Sequence, residues 1–362
     1  MNYRILVLNF GSTSTKVGIY NNAEEEVRAT IQHPAEELKR FADLAEQLPY
    51  RKAAIDGFIA KNGTSYDAFD AVISRGGNCR PVPSGIYLIS PQVLADLESG
   101  EWGVHPTNMG NRIAYDIGTQ YGIPALFADP PLSDEFIDLA RFSGIKEIER
   151  ISSLHVLNQK AIARRYAKSK GRNYEDMDLV VVHMGGGISV GAHRHGSIID
   201  ANNALNGDGP FAPERAGALP NSYLIKMCFS GKYTQGEMLK KMTGAGGLMS
   251  YLGTSDAMEV ERRIEEGDEY AAKVYEAMAY QTAKEIGSAA CVLEGKAEAI
   301  IYTASLAKSA RFTNMVTQRV GWIAPVVLMP GEDELLALAE RAALDMAGAE
   351  PTKDYSIVGN SV

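Results

Sequence analysis

Short apolar runs bounded by glycine or polar clusters alternate along this chain with longer stretches of helical spacing. Ile5–Leu8, Phe69–Ser74, Ala125–Asp129, Val180–Val182, Ile188–Ala192, Ala299–Tyr302 and Val326–Met329 read as strands, with Val17–Tyr20 as a return strand after the first. Leu38, Phe41, Leu44, Ala45 and Leu48 predict a scaffold helix over Pro34–Leu48, and a second helix is expected over residues 51–60. Further helices are predicted at Ser90–Leu97, 112–121, 158–168, 222–229, 234–242, 255–266, Asp268–Leu293 and from Glu332 to about Ala347. Glu24–Arg28 reads as a polar connection and Trp102–Asn111 as irregular. Strands alternating with helices predict an α/β class.

Two of these runs share one order. Val180–Val182 leads through His183 to Gly185, Gly186 and Gly187 and a returning strand; Ile5–Leu8 leads through Asn9 to Gly11, Ser12, Thr13, Ser14, Thr15 and Lys16 and its own returning strand. Adjacent glycines weaken a strand, so they belong at a tip that takes unusual backbone angles or lets something bulky approach. Successive N–H groups at such a tip form an anion cradle, with His183 at its lip and the Ser12 and Ser14 hydroxyls and Lys16 as further donors. A tight hairpin with a surface histidine is the alternative for the second tip. Neither tip matches a Walker loop, which runs directly into a helix. Two similar hairpins predict two related domains sharing one phosphate-binding cleft.

Length and charge narrow the classes. A chain of 362 residues exceeds most single cores, and its 45% hydrophobic and 22% charged content is that of a globular protein. A net charge of −9 speaks against nucleic acid or an anionic membrane as partner. Cys79, Cys228 and Cys291 have neither disulfide nor zinc spacing, and no apolar stretch or charged leader suggests a membrane span or export, so a cytoplasmic protein is expected.

Candidate chemistry sits where strands end. Arg75, before Gly76 and Gly77, lies at a strand's carboxyl edge, where open α/β sheets bind ligands, or else forms a surface ion pair. Asp129 ends its strand at Pro130-Pro131, which stop it, and is expected exposed at the sheet's edge. His155 follows Ser152 and Ser153, either of which suits a helix cap, and is itself a site residue or a first-turn surface residue; Arg215 sits in a Gly/Pro loop from Asn206 to Gly217. Glu332, Asp333 and Glu334 suit a helix N-terminus.

With these residues in view the sequence resembles the acetate and butyrate kinase family, most closely its butyrate kinase branch. L-N-F-G-S-T-S-T-K and V-V-H-M-G-G-G-I-S look like the two family signatures, and S-R-G-G at 74–77, A-D-P-P at 128–131, H-V-L-N-Q-K-A-I-A-R-R at 155–165 and G-D-G-P-F-A-P-E-R-A-G at 207–217 extend the likeness. The resemblance implies a duplicated ribonuclease-H-like, actin-like fold: an N-terminal domain over 1–150, a C-terminal domain over 151–331, nucleotide in the interdomain cleft and the last helix, 332–349, returning to the first domain. It implies Mg²⁺ at Asn9, Asp333 and Glu334, and ATP or ADP near Asn9, Ser12, Ser14, Lys16, His183, Gly185–Gly187 and Ser305. Arg75 would anchor carboxylate or acyl phosphate, Asp129 would be the catalytic carboxylate, and His155 and Arg215 would stabilise the transition state. The implied reaction is reversible phosphoryl transfer from ATP to a short-chain carboxylate; acetate or propionate kinase, or a non-catalytic nucleotide-binding member of the fold, are the alternatives. A homodimer or higher homo-oligomer is expected.

Three positions depart from the family pattern. Ser305 stands where the family has a glycine beside adenosine, Met258 where members carry an arginine, and Leu154 where a phenylalanine is common. The first two predict a weakened adenine pocket, the third more room for the acyl group.

Overall fold

The computed structural model describes residues 1–204 and 207–356; Asn206, at the head of the Gly/Pro loop, lies outside the described residues. The chain divides into two compact units, Met1–Asp134 with Asp333–Val362, and Glu135–Glu332.

The first unit is built on a six-stranded sheet of β1 (Arg4–Phe10), β2 (Ser14–Asn21), β3 (Glu24–Gln32), β4 (Ala71–Arg75), β5 (Ile86–Leu88) and β6 (Ala125–Ala128), in the order β3-β2-β1-β4-β6-β5. β1, β2 and β3 form an antiparallel meander, whereas β4 and β6 add to β1 in parallel. Parallel strands covered on both faces read as continuous apolar runs, which is why β4 and β6 are legible and the polar edge strand β3 is not. Leu6, Leu8 and Phe10 point into a core shared with Met109, Ile113, Ala114 and Ile117 of the helix Thr107–Tyr121. The intervening positions Ile5, Val7 and Asn9 take the other face, and the helix Glu334–Met346 also packs on β1.

The second unit repeats the plan. Its strands β7 (Asp178–Met184), β8 (Ile188–Arg194), β9 (Ser197–Ala201), β10 (Ala299–Thr303) and β11 (Val326–Leu328) run in the order β11-β10-β7-β8-β9. Read from the other end, this is the antiparallel meander followed by two parallel strands again. Each meander also carries a register shift between its second and third strands, at Ile19/Tyr20 and at Ala192/His193. Val180, Val182, Val190 and Ile300 pack against Val274, Met278 and Ile286 of the long helix Glu269–Val292; Leu179, Val181 and Ile301 pack against Ile162, Ala163 and Tyr166 of the helix Val156–Ser169. Burying each valine, leucine, isoleucine or methionine among them contributes about 1.5–3 kcal/mol. The fold is the duplicated α/β architecture expected.

Three predicted features change. The division falls at 134/135 rather than 150, because residues 135–150 bond within the second unit: Glu135 pairs with Lys160 at 2.7 Å, Ile137 N donates to Ile199 O at 3.1 Å and Arg150 donates to Ala201 O at 3.0 Å. The scaffold helix over 34–48 is reduced to Ala35–Leu38, and the helix expected over 51–60 begins earlier, running Leu48–Lys61 with Pro49 in its first turn. Proline blocks helix continuation but suits a first turn, and the Asp43 and Glu46 carboxylates accept from the backbone N–H groups of Glu46 and Ala42, favouring turns. Finally, Thr107–Asn111 is helical rather than irregular.

Candidate active site

Each meander ends in a tip. In the first unit Phe10 pairs with Thr15 and Gly11 N donates to Ser14 O at 2.8 Å, closing the turn. Behind it lies Arg51, fully buried on the helix Leu48–Lys61. Its guanidinium donates to Gly11 O at 2.9 Å, Ser14 O at 3.2 Å and Ser12 O at 2.8 Å, and to the Gln47 amide oxygen at 3.1 Å. One cation thus gathers three tip carbonyls inward, and no carboxylate pairs with it among the described residues. Burial lowers its pKa, yet an arginine stays charged, so the tip is backed by positive charge. Ser12 is exposed and Ser14 and Lys16 half-buried on this tip.

Asn9 and Lys16 are directly paired across β1 and β2, and both meet Glu334 at the start of the helix Glu334–Met346. Asn9 Nδ2 donates to Glu334 Oε2 at 2.5 Å, Lys16 Nζ lies 4.0 Å from that oxygen, and Arg75 Nη1 holds Oε1 at 2.9 Å. Arg75 therefore already grips a carboxylate. Near it His105, on an exposed loop, has its pKa lowered first by the protein mass around the ring and second by the Arg75 charge.

Mg²⁺ implies a donor set. Among the described residues no three His, Cys, Asp or Glu side chains converge into a metal cage. The residues present still fit Mg²⁺, which takes one or two carboxylates and leaves the remaining octahedral positions to water and phosphate: Glu334 with the Asn9 amide supplies such a set. Asp333, next to Glu334 in the chain, has both oxygens engaged, Oδ1 capping the helix by accepting from Leu336 N at 3.1 Å and Oδ2 pairing with Arg28 at 3.1 Å, as those of Glu334 are by Asn9 and Arg75. Glu332, on the other side of the unit division, is 3.0 Å from His183 Nε2.

Asp129 is not exposed as expected. It is buried at 1%, takes a left-handed φ of 44°, and its Oδ2 lies 3.4 Å from Nε of Arg341, itself 2% exposed. Arg341 also pairs with Glu350.

In the second unit Gly185 N donates to Gly187 O at 2.9 Å. Bare glycines let other groups close on this tip: a methyl on Gly187 would stand 3.2 Å from Arg215 Nη1 and 3.5 Å from His155 Cε1, and one on Gly185 would stand 3.2 Å from His183 Nε2. The structure thereby brings His155, His183 and Arg215 to one place. The two imidazoles stack with centroids 3.7 Å apart and 5° between planes. His183 Nδ1 faces Asn158 Oδ1 at 2.8 Å, and His155 Nδ1 faces Ser189 Oγ at 3.0 Å. Arg215 donates to Ala204 O at 2.5 Å; burial lowers its pKa while Glu214 opposes that.

Ser305 is exposed with an ordinary φ of −70°. It is Ala304, at the same turn, that takes a left-handed φ of 67° and bridges Gly331. Met258 is 81% exposed. Leu154 lies buried among Phe136, Ala140, Val156 and Ile198.

With the geometry placed, comparisons with known proteins decide the family. The acetokinase family model matches residues 147–323. A butyrate kinase, butyrate kinase 2 of Clostridium acetobutylicum, is 46% identical over 355 residues, covering 98% of this chain and 100% of that protein. The chain belongs to the acetokinase family. Solved structures give the same fold at low identity: an acetate kinase of Porphyromonas gingivalis matches with a TM-score of 0.76 at 16% identity, covering 94% of this chain and 99% of that one. A propionate kinase of Francisella tularensis matches with a TM-score of 0.75 at 17% identity, covering 94% of this chain and 98% of that one.

For this family member, sequence reasoning missed Arg51, Arg341 and the set Gln159, Ser189 and His193. Each contacts another residue of the site or of this set, and only the helix spacing of His155 and Gln159 and the strand spacing of Ser189, Gly191 and His193 signal a shared face.

Proposed function

We propose that the protein is a carboxylate kinase that transfers the γ-phosphoryl group of ATP to a short-chain fatty acid, butyrate or an acid near it in length, and that it runs in reverse from acyl phosphate and ADP. The observation that carries this reading is the 46% identity to a butyrate kinase over 98% of the chain.

The acid needs no activating base, since its carboxyl pKa lies well below 7. One carboxylate oxygen attacks the γ-phosphorus in line; the new O–P bond forms as the bond to the β,γ-bridging oxygen breaks, and that electron pair leaves on ADP. Little covalent chemistry is left to the protein, so positioning and charge cancellation dominate. We assign Arg75 to the acid's carboxylate, a role supported by its grip on the Glu334 carboxylate at 2.9 Å. His155 and Arg215 are assigned to the equatorial oxygens of the transferring group, supported by their packing on Gly187. The N–H groups of both tips, with Lys16, are assigned to phosphate oxygens. Asp129, held by Arg341, is read as an orienting carboxylate, not a base. Glu334 and Asn9 would hold Mg²⁺, which would offset charge on the β- and γ-phosphates.

Three finer assignments accompany this reading. Cys79, Cys228 and Cys291 are all unpaired, which supports a reducing cytoplasm. Among the described residues no helix is long and apolar enough to cross a membrane. The helix Asn221–Cys228 buries none of its residues and exposes Tyr223 and Ile225, with exposed Phe229 just beyond its end, which supports self-association.

Trapping of acyl phosphate by hydroxylamine, with C2 to C6 acids and ATP, tests the reading. Hydroxamate that peaks near C4 is expected; nucleotide binding without hydroxamate from any acid would refute it.

A further inference from the structure

A chain of buried polar groups runs from the interior of the second unit to His155. Tyr174 Oη lies 2.7 Å from His193 Nδ1; His193 Nε2 lies 2.9 Å from Gln159 Oε1; Gln159 Nε2 lies 3.1 Å from Ser189 O and 2.8 Å from Ser189 Oγ; and Ser189 Oγ lies 3.0 Å from His155 Nδ1. His193, Gln159 and Ser189 are all 0% exposed. The chain exists because two periodicities meet. Ser189, Gly191 and His193 alternate along one face of β8, while His155, at the N-cap of the helix Val156–Ser169, and Gln159 sit one turn apart. Gly191 must lack a side chain, since a methyl there would fall 2.4 Å from Gln159 Oε1 and 2.9 Å from His193 Nε2.

Hydrogen positions follow from one fixed acceptor. Ser189 O is a backbone carbonyl and only accepts, so the Gln159 end facing it is the NH₂ group and the end facing His193 is the carbonyl. His193 Nε2 must then donate. Full burial, reinforced by the Lys160 and Arg164 charges, drives the His193 pKa well down, so the ring is neutral and its bare Nδ1 accepts from Tyr174. Ser189 Oγ receives the Gln159 N–H, and among the described residues the one acceptor facing its own proton is His155 Nδ1.

We infer that Gln159, acting through Ser189, is a positioning residue that fixes the tautomer of His155, holding its proton on Nε2 so that the ring meets the transferring phosphoryl group as an N–H donor. This rests on the role proposed for His155. A donor lowers the barrier when charge grows on the phosphoryl oxygens, whereas a bare nitrogen lone pair in its place repels them. The device serves the transition state, so its loss is expected in kcat rather than in KM.

The test is long-range ¹H–¹⁵N correlation on the full chain labelled at histidine nitrogens, with the His155 signals assigned by His155→Gln. The wild-type protein at neutral pH is expected to show His155 protonated at Nε2 and bare at Nδ1. In Gln159→Met and in Ser189→Ala, the second a one-atom deletion chosen in case the first does not fold, His155 is expected to become a mixture of tautomers, with kcat lower by about tenfold or more and both KM values within about twofold. Tyr174→Phe cuts the chain beyond His193 and is expected to leave the His155 signals unchanged. Protonation of wild-type His155 at Nδ1, or unchanged His155 signals in Ser189→Ala, overturns the inference. The spectra require no turnover, so this failure is separate from a failure of the proposed reaction, which the hydroxamate assay judges.

Discussion

Asp129 Oδ2 and Arg341 Nε lie 3.4 Å apart, with both side chains almost wholly buried. A carboxylate at the carboxyl end of a central strand is thereby tied to the helix Glu334–Met346, which the chain reaches some two hundred residues later. Breaking a buried pair from one side leaves an uncompensated charge and costs about 3–5 kcal/mol. Arg341→Met is therefore expected to lose about that much stability in chemical denaturation, with activity falling alongside; an unchanged midpoint would show that the pair does not hold Asp129.

Arg215 packs against Gly187 with its guanidinium partly desolvated. A charge aimed at the transferring group acts mainly in the transition state. Arg215→Ala is expected to lower kcat on the order of 10²-fold or more while ATP affinity changes little. Steady-state kinetics with a separate nucleotide titration checks this, and a wild-type kcat removes Arg215 from the mechanism.

Arg51 offers a different readout, because it touches tip carbonyls and no assigned substrate position. In Arg51→Met three carbonyls lose a charged donor, each loss costing about 1–3 kcal/mol, and the tip relaxes. ATP KM is expected to rise by about tenfold or more with acid KM nearly unchanged. Equal KM values for ATP in mutant and wild type would leave the tip's shape independent of Arg51.

Ala304, not Ser305, carries the unusual backbone at the turn after β10. A left-handed non-glycine residue costs about 1–2 kcal/mol, so Ala304→Gly is expected to raise stability by up to about 1 kcal/mol once glycine's extra unfolded-state entropy is deducted. Ser305→Gly, at a right-handed position, is expected to bring no gain. Denaturation curves of the two variants decide the point, and a larger gain from Ser305→Gly contradicts it.

How legible the site was depended on how locally each residue declares itself. The glycine tips with Asn9, Lys16 and His183 were readable because a hairpin puts its chemistry within one stretch of chain. Arg75 and Asp129 were found at strand ends, yet the burial of Asp129 was not, since Arg341 arrives from a distant helix whose apolar spacing hides one arginine among leucines and alanines. The strands β3, β5 and β9 are not legible because β3 is a half-exposed polar edge, β5 spans only three residues and β9 offers just Ile198 and Ile199 between Ser197 and Asp200. Over 34–48 the apolar spacing is helical, but Pro49 and the carboxylates of Asp43 and Glu46 settle the backbone otherwise.

The central claim is that a carboxylate oxygen of the acid becomes bonded to the phosphorus of ATP. Butyrate labelled with ¹⁸O in both carboxylate oxygens, incubated with the enzyme, ATP and Mg²⁺ and followed by ³¹P NMR, tests it most directly. The expected result is an acyl phosphate resonance carrying the isotope shift of a single bridging ¹⁸O, appearing one for one with ADP. Release of inorganic phosphate with ADP and no labelled acyl phosphate would contradict the account.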